Sequence, residues 1–243
     1  MLFDSHAHLT QCKLPLVPPY PVISVSTNLA DSKSNIVLCR SFKHAYPAVG
    51  LHPWFVSEKS IEDLSELLIL IKSEQIKLVG EIGLDFSSNF RVSKQLQLEV
   101  FERQLAWAVE YDCAVSMHIY KAYDDAYDLL KTYPVKGCLH GFAGGYQQAE
   151  RFVKLGLKIG VNATILKDNA RRYHQLVQML DLESLLLETD APNIAYPTTR
   201  PGDLEMIEQV AQKVAELKQY SLEQVAEITT QNALESFSLE FIK

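Results

Sequence analysis

The chain has only four cysteines, Cys12, Cys39, Cys113 and Cys138, and no two of them share a C-x-x-C spacing. No charged n-region followed by an apolar h-region stands ahead of them. The expectation is therefore reduced, mostly buried thiols in a cytoplasmic protein. Long apolar runs are scarce as well. Leu67-Leu68-Ile69-Leu70-Ile71 is among the longest, far short of the roughly 20 residues that span a bilayer, so no membrane partner is expected. Basic charge is in deficit, with 23 Lys and Arg against 30 Asp and Glu and a net charge of −7. That balance excludes a broad basic surface wrapping long duplex DNA. It leaves room for a local phosphate site, because divalent cations in a cleft would supply positive charge among its carboxylates. No Pro-, Gly- or Ser-rich linker and no internal repeat divides the 243 residues, which predicts one domain over 1–243.

What the chain does have is alternation. Short Val-, Ile- and Leu-rich runs at Leu2–Asp4, Val22–Ser26, Ala48–Leu51, Leu78–Ile82, Ala114–Met117, Gly137–Leu139, Leu157–Val161 and Leu185–Glu188 read as strands. Helical periodicity fills 31–44, 60–74, 93–111, 122–132, 146–155, 168–180 and 203–217, with a last helix at 221–236. Eight strands separated by helices predict an α/β fold, a (β/α)8 TIM-type barrel. The first crossover is the exception. Residues 9–21 carry four prolines and cannot form a full helix, so the barrel is expected to be one outer helix short there.

Chemistry-bearing residues gather at the carboxyl ends of these strands, where such barrels place their active sites. In Asp4-Ser5-His6-Ala7-His8 the two histidines are i and i+2 on a strand and face one point, half of a metal cage. Glu81, between Gly80 and Gly83 at the end of the fourth strand, is a carboxylate where burial is expected, and it needs a partner. His118 ends the fifth strand, His140 the sixth, and Asp190 follows the eighth in Glu188-Thr189-Asp190-Ala191-Pro192. One strand-end histidine is usually structural; several at one mouth point to a site. His44 and His174 read as surface residues. Phe142, Tyr120 and Trp54 fall in mouth loops and offer stacking platforms for bases, while Gly144-Gly145 offers backbone N–H groups to phosphate.

In this order the motifs resemble the TatD family of metal-dependent deoxyribonucleases, within the amidohydrolase-like barrels. The resemblance rests on Asp4-Ser5-His6-Ala7-His8, Gly50-Leu51-His52-Pro53, Gly80-Glu81-Ile82-Gly83-Leu84-Asp85, His118, His140-Gly141-Phe142-x-Gly144 and Glu188-Thr189-Asp190-x-Pro192. It implies a two-metal centre in which His6, His8 and Asp190 hold one divalent cation and His118 and His140 the other, with Glu81 bridging; Zn, Mn or Mg would serve. It implies phosphodiester hydrolysis of DNA, exonucleolytic on short or single-stranded ends, with Asp190 and Glu81 as the catalytic carboxylates and Asp190 taking the proton of the attacking water. His52 is expected to contact substrate, a carboxylate or the strand end, and Asp85 to fix a ligand or cap a loop. The sequence departs from the family pattern at Tyr120, where an arginine is frequent and Lys121 now follows, at Trp54, where a histidine is frequent, and in the short stretch between His8 and Val22. The departures keep two other readings in play: hydrolysis of a small ester, lactone or amide on the same barrel, and a non-catalytic, metal-stabilised binding protein. The chain is expected to be a monomer or weak homo-oligomer.

Overall fold

The computed structural model describes residues 1–13, 17–87, 94–194 and 203–240. Its eight strands are β1 (Asp4–Ala7), β2 (Val22–Ser24), β3 (Ala45–Pro47), β4 (Leu78–Asp85), β5 (Ala114–Tyr120), β6 (Gly137–Leu139), β7 (Lys158–Val161) and β8 (Leu185–Leu187). Between and after them run α1 (Leu29–Cys39), α2 (Ser60–Ser73), α3 (Lys94–Glu110), α4 (Tyr123–Thr132), α5 (Tyr146–Val153), α6 (Arg171–Met179), α7 (Met206–Lys218) and α8 (Leu222–Ser236). All strand pairs are parallel, in two consecutive sheets, β1-β2-β3 and β4 to β8. A lone bridge, Val49 to Val79, joins the sheets on one side. On the other, Asp190 N–H donates to His6 O (2.9 Å) and His8 N–H to Ala191 O (2.7 Å), continuing the ladder past β8. The architecture is the (β/α)8 TIM type. Among the described residues the first crossover holds only a 3-10 turn, Leu9–Gln11, as its prolines require; Leu14, Pro15 and Leu16 lie outside the described residues, as does position 93 of the expected third helix.

Four strands differ most from their sequence outlines. β1 lies two residues later than the apolar run, because its pairing with β2 starts at Asp4 and ends at Ala7, across polar residues. β3 lies three residues earlier, and after Pro47 the chain keeps only the Val49 bridge before turning to place His52. β4 and β5 run three residues further, through Gly83–His118, Leu84–Ile119 and Asp85–Tyr120, so Glu81 and His118 lie inside their strands and do not end them. A shared ladder of Gly, Asp and His hides the strand ends from apolar patterning.

Strand alternation sorts side chains into an inner stack and an outer shell. On β5, Val115, Met117 and Ile119 join the main core beneath the helices, while Ala114, Ser116 and His118 share the inner face. The lowest inner layer is Phe3, Ile23, Leu78, Ala114, Cys138 and Leu186, closed from below by Ala233 and Phe237 at the end of α8. Phe237 is 1% exposed, and burying such a ring stabilises by about 2–3 kcal/mol. α8 can plug the barrel because its start is fixed by a capping box, with Ser221 Oγ accepting Gln224 N–H (3.2 Å) and Gln224 Oε1 accepting Ser221 N–H (2.9 Å). Above the apolar floor the inner residues turn polar, and the mouth is built on them. No helix of the described residues is long and apolar enough to cross a membrane.

Candidate metal centre

Glu81 is the hub. Its carboxylate, 3% exposed, has Oε2 facing His6 Nε2 (3.6 Å) and His8 Nε2 (3.5 Å). Its Oε1 faces His140 Nε2 (2.9 Å), His118 Nδ1 (3.4 Å) and His52 Nε2 (3.2 Å). Asp190 Oδ1 lies 3.5 Å from His8 Nε2. All six residues singled out in the sequence, His6, His8, Glu81, His118, His140 and Asp190, therefore gather around Glu81; all but the fully buried His6 line one cleft of about 320 Å³, rimmed by Gln11, Trp54, Phe55 and Asn193.

Outer partners decide which imidazole nitrogen carries the proton. His118 Nε2 is 3.2 Å from Asp85 Oδ2, so that nitrogen carries the hydrogen and Nδ1 presents a lone pair to Glu81. Asp85 is itself fixed, since its carboxylate accepts Trp54 Nε1–H (2.7 Å) and Ser87 N–H (2.8 Å). His6 Nδ1 lies 2.9 Å from Ser116 Oγ, on the inner face of β5, and its buried Nε2 has no hydrogen-bond partner. Glu188 Oε1 stands 3.6 Å from His140 Nδ1, which directs the proton to that side and turns Nε2 inward. His118 Nδ1 and His140 Nε2 then face each other at 3.3 Å. With these imidazoles neutral, their lone pairs and those of Glu81 converge without a hydrogen among them, an arrangement that repels unless a proton or a metal cation lies between. Most of these separations exceed an ordinary hydrogen bond and match the spacing of about 3.4 Å between neighbouring ligands around a tetrahedral ion with bonds near 2.1 Å. The donor set fits divalent metal.

His52 differs. Its Nδ1 accepts Trp54 N–H (3.1 Å), leaving the proton on Nε2 to be donated to Glu81 Oε1. Although His52, Glu81 and His118 lie close enough to hold an ion, as do His6, His8 and Glu81, this tautomer makes His52 a hydrogen-bond donor to the hub. Burial pushes its pKa down to about 4, so it remains neutral.

The charges agree. Burial opposes ionisation of Glu81, yet the surrounding imidazoles of His52, His140, His6 and His118 hold its pKa well below the ordinary value. Burial likewise opposes ionisation of Asp190, and His8, with the charges of His140 and His6, holds its pKa below the ordinary range. Burial disfavours protonation of His140, but Glu81 and Glu188 raise its pKa well above the usual one. The carboxylates thus make a field that attracts positive charge to the point between the imidazoles.

Backbone geometry places these groups. Asp190 has φ 55°, a left-handed conformation in which its N–H reaches His6 O while its side chain turns to His8. Gly160, on the inner face of β7, leaves the room Glu188 occupies: a Cβ there would lie 2.1 Å from Glu188 Oε2. Glu188 Oε1 accepts Gly141 N–H at 2.6 Å. Asp4, buried beneath β1, accepts Thr189 N–H (3.0 Å) and Thr189 Oγ1–H (2.7 Å) and so ties β1 to the Asp190 turn.

Some expectations change. Phe142 is 1% exposed and packed among Tyr123 and Phe152, so it offers no face to a base; a mouth-loop aromatic between two glycines had folded inward. Trp54, 50% exposed, and Tyr120, 39%, do stand at the mouth. Gly145 N–H is taken by Gln148 Oε1 (3.0 Å) and does not await phosphate. His174 is half-buried, 2.7 Å from Ile165 O, and His44 follows α1, also half-buried; neither is a plain surface residue. Ser116 and Glu188 carried no assigned role in the sequence, although the strand-end position of Glu188 was a usable signal.

A family described as TatD related DNase matches residues 3–238. An uncharacterized metal-dependent hydrolase of Haemophilus influenzae is 30% identical over 97% of this chain and 99% of its own length. A protein of Erwinia amylovora named 3'-5' ssDNA/RNA exonuclease TatD is 30% identical over 90% of this chain and 88% of its own. The crystal structure of the TatD homolog YjjV from Escherichia coli K12 superposes with a TM-score of 0.88 at 29% identity, covering 98% of both chains.

Proposed function

Because the chain belongs to the TatD related DNase family of metal-dependent hydrolases, we propose that it hydrolyses phosphodiester bonds in DNA, working from short or single-stranded ends. The observation that carries this reading is the division of Glu81, one oxygen toward His6 and His8 and the other toward His118 and His140. His6, His8, Asp190 and Glu81 would hold one divalent cation; His118, His140 and the same Glu81 would hold a second. When bound, such ions acidify water and offset charge on the phosphoryl oxygens.

The chain's own groups do the rest. Asp190, ionised and steadied by Asn193 Nδ2–H donating to Oδ1 (3.3 Å), accepts the proton of the attacking water. His52 Nε2–H orients Glu81, and Asp85 and Glu188 hold the rings of His118 and His140 at fixed angles. A cleft of about 320 Å³ takes about one nucleotide, which suits a strand end, and the exposed Trp54 ring offers a face on which its base can stack. The relatives named as single-strand exonucleases point the same way.

The test is cleavage of end-labelled single-stranded and duplex DNA by purified protein with Mg, Mn or Zn, beside Glu81→Ala. Shortening of single strands from one end that needs metal and is lost in the variant supports the reading. Intact DNA alongside turnover of a small ester, lactone or amide replaces it with small-molecule hydrolysis; a metal-loaded protein inert toward both leaves a binding protein.

A further inference from the structure

A second cleft of about 440 Å³ opens beside the metal centre, lined by Tyr120, Lys121, Tyr123, Gly144 and Arg172 among others. Its lining residues differ from those of the central cleft but follow two of them closely along the chain. Tyr120 lies two residues beyond His118, roughly 7 Å at the strand rise, and Gly144 lies four beyond His140. That distance is one step along an extended nucleic-acid strand.

Two cations on different elements converge there. Arg172 opens α6 with its guanidinium against the Gly145 backbone: a methyl at Gly145 would sit 3.2 Å from Nη2. Lys121 has φ 55°, a left-handed turn that sends its side chain over the Tyr120 ring, 5.5 Å from the centroid. Both are exposed, and among the described residues neither has a carboxylate partner. Of the two acids on the α4 wall, Asp124 is engaged by Arg151 Nη1 (2.6 Å), leaving Asp125 alone against two positive charges. In a chain of net charge −7, an arginine and a lysine without ion-pair partners among the described residues, lining one open cleft with Asp125 as its remaining acid, are a specific feature. A guanidinium and an ammonium about one open groove match the oxygens of a phosphodiester, and Tyr120 beside them supplies a ring for the adjoining base.

We propose that Lys121 and Arg172 bind a backbone phosphate of a single strand, one nucleotide from the bond being cleaved. The inference rests on the nuclease reading above and adds where the strand runs: from the metal centre across the tips of β5 and β6 toward the start of α6.

The test compares wild type with Arg172→Ala, Lys121→Ala, Arg172→Lys and, as a control for net charge, Arg171→Ala on the same exposed helix turn. Steady-state cleavage of a short oligothymidylate is measured across a salt series, beside a mononucleotide aryl phosphodiester that cannot reach the second cleft. Arg172→Ala is expected to raise KM for the oligonucleotide about tenfold and to reduce the slope of log affinity against log salt by about 0.7, with Arg171→Ala matching wild type and Arg172→Lys recovering part of the loss. If Arg172→Ala and Arg171→Ala have the same oligonucleotide KM and salt slope while both cleave DNA, the strand path is wrong and the nuclease reading stands. If the aryl diester loses as much as the oligonucleotide, the contact is with the reacting phosphate and the path is again wrong. A wild type that turns over the aryl diester and no oligonucleotide overturns both.

Discussion

Gly160→Ala is the smallest change that strikes the candidate centre without touching any of its donors. Gly160 pairs with Leu186 on β8 at a φ that alanine tolerates, so the added methyl acts only through space. It would lie 2.1 Å from Glu188 Oε2, 2.8 Å from Glu188 Cδ and 3.0 Å from the backbone of His140. Glu188 is fully buried and has nowhere to retreat. Relieving the clash requires that its carboxylate release Gly141 N–H, a charge-assisted bond worth about 1.5–3 kcal/mol, or that the strands part, an overpacking cost of about 1–3 kcal/mol. A net loss of about 3 kcal/mol lowers the melting temperature of a chain this size by roughly 6–12 °C. Because Glu188 also sets the ring of His140, metal affinity should drop about ten- to a hundred-fold. Thermal melts and metal titration of Gly160→Ala, Glu188→Ala and the double variant check this. In the Glu188→Ala background only the 3.0 Å approach to the His140 backbone remains, and Gly160→Ala should cost clearly less than in wild type. A melt within a degree or two of wild type, or the same penalty with and without Glu188, would refute the reasoning.

Four further outcomes are expected. Glu81→Gln keeps the shape of the hub and removes its charge, so elemental analysis should find fewer ions per chain than in wild type and turnover should fall by at least about a hundred-fold. Stripping metal with a chelator should lower the melting temperature by roughly 5–11 °C at a free-ion level about a hundred times Kd, an effect of about 2.7 kcal/mol, and adding metal back should restore it; no shift would mean that the donors hold no ion. Asp85→Asn turns the His118 ring loose and should weaken metal binding about tenfold with a small change in stability, read by titration and melt together. Phe237→Ala opens the barrel floor and should destabilise by about 3–5 kcal/mol, measured by denaturant unfolding, while kcat of the protein still folded remains near wild type, because the floor lies on the opposite end from the mouth.

The barrel was legible because each βα unit announces itself locally, and the six candidate donors stood out because they are rare residue types in or just after the carboxyl halves of strands. What escaped was non-local. Nothing near Asn35 marks it as a buried amide in α1 that donates to Ser24 O (2.7 Å) and Ser26 Oγ (3.0 Å) and accepts Ser24 Oγ–H (2.5 Å). Gln97 and Gln104 read as ordinary polar positions on α3, yet each pairs with both backbone groups of one residue, Gln97 with Asp85 and Gln104 with Leu51. His52 stood open among a substrate contact, a carboxylate partner and a strand-end bond until Trp54 N–H fixed its tautomer. Ser116 looked like filler in an apolar strand, since only the inward alternation of β5 brings it to His6. Phe142 misled because a glycine-flanked aromatic reads as loop, and only the packing of Tyr123 and Phe152 shows where the ring goes.

The seam between the two sheets has a consequence for how the chain assembles. Where β3 and β4 should pair, the bridge at Val49 and the backbone bonds of Ser26, its N–H to Gly80 O (3.3 Å) and its O from Glu81 N–H (2.7 Å), stand in for a full ladder. His6 and His8 come from the first sheet; Glu81, His118 and His140 come from the second, and Asp190 from the turn that returns to β1. Neither sheet carries a complete donor set by itself. Closure of the barrel and assembly of the cluster are therefore one event: an ion seated at Glu81 would clasp two otherwise lightly joined halves, and a chain divided after Phe55 should recover its shape from the two fragments most readily when metal is present.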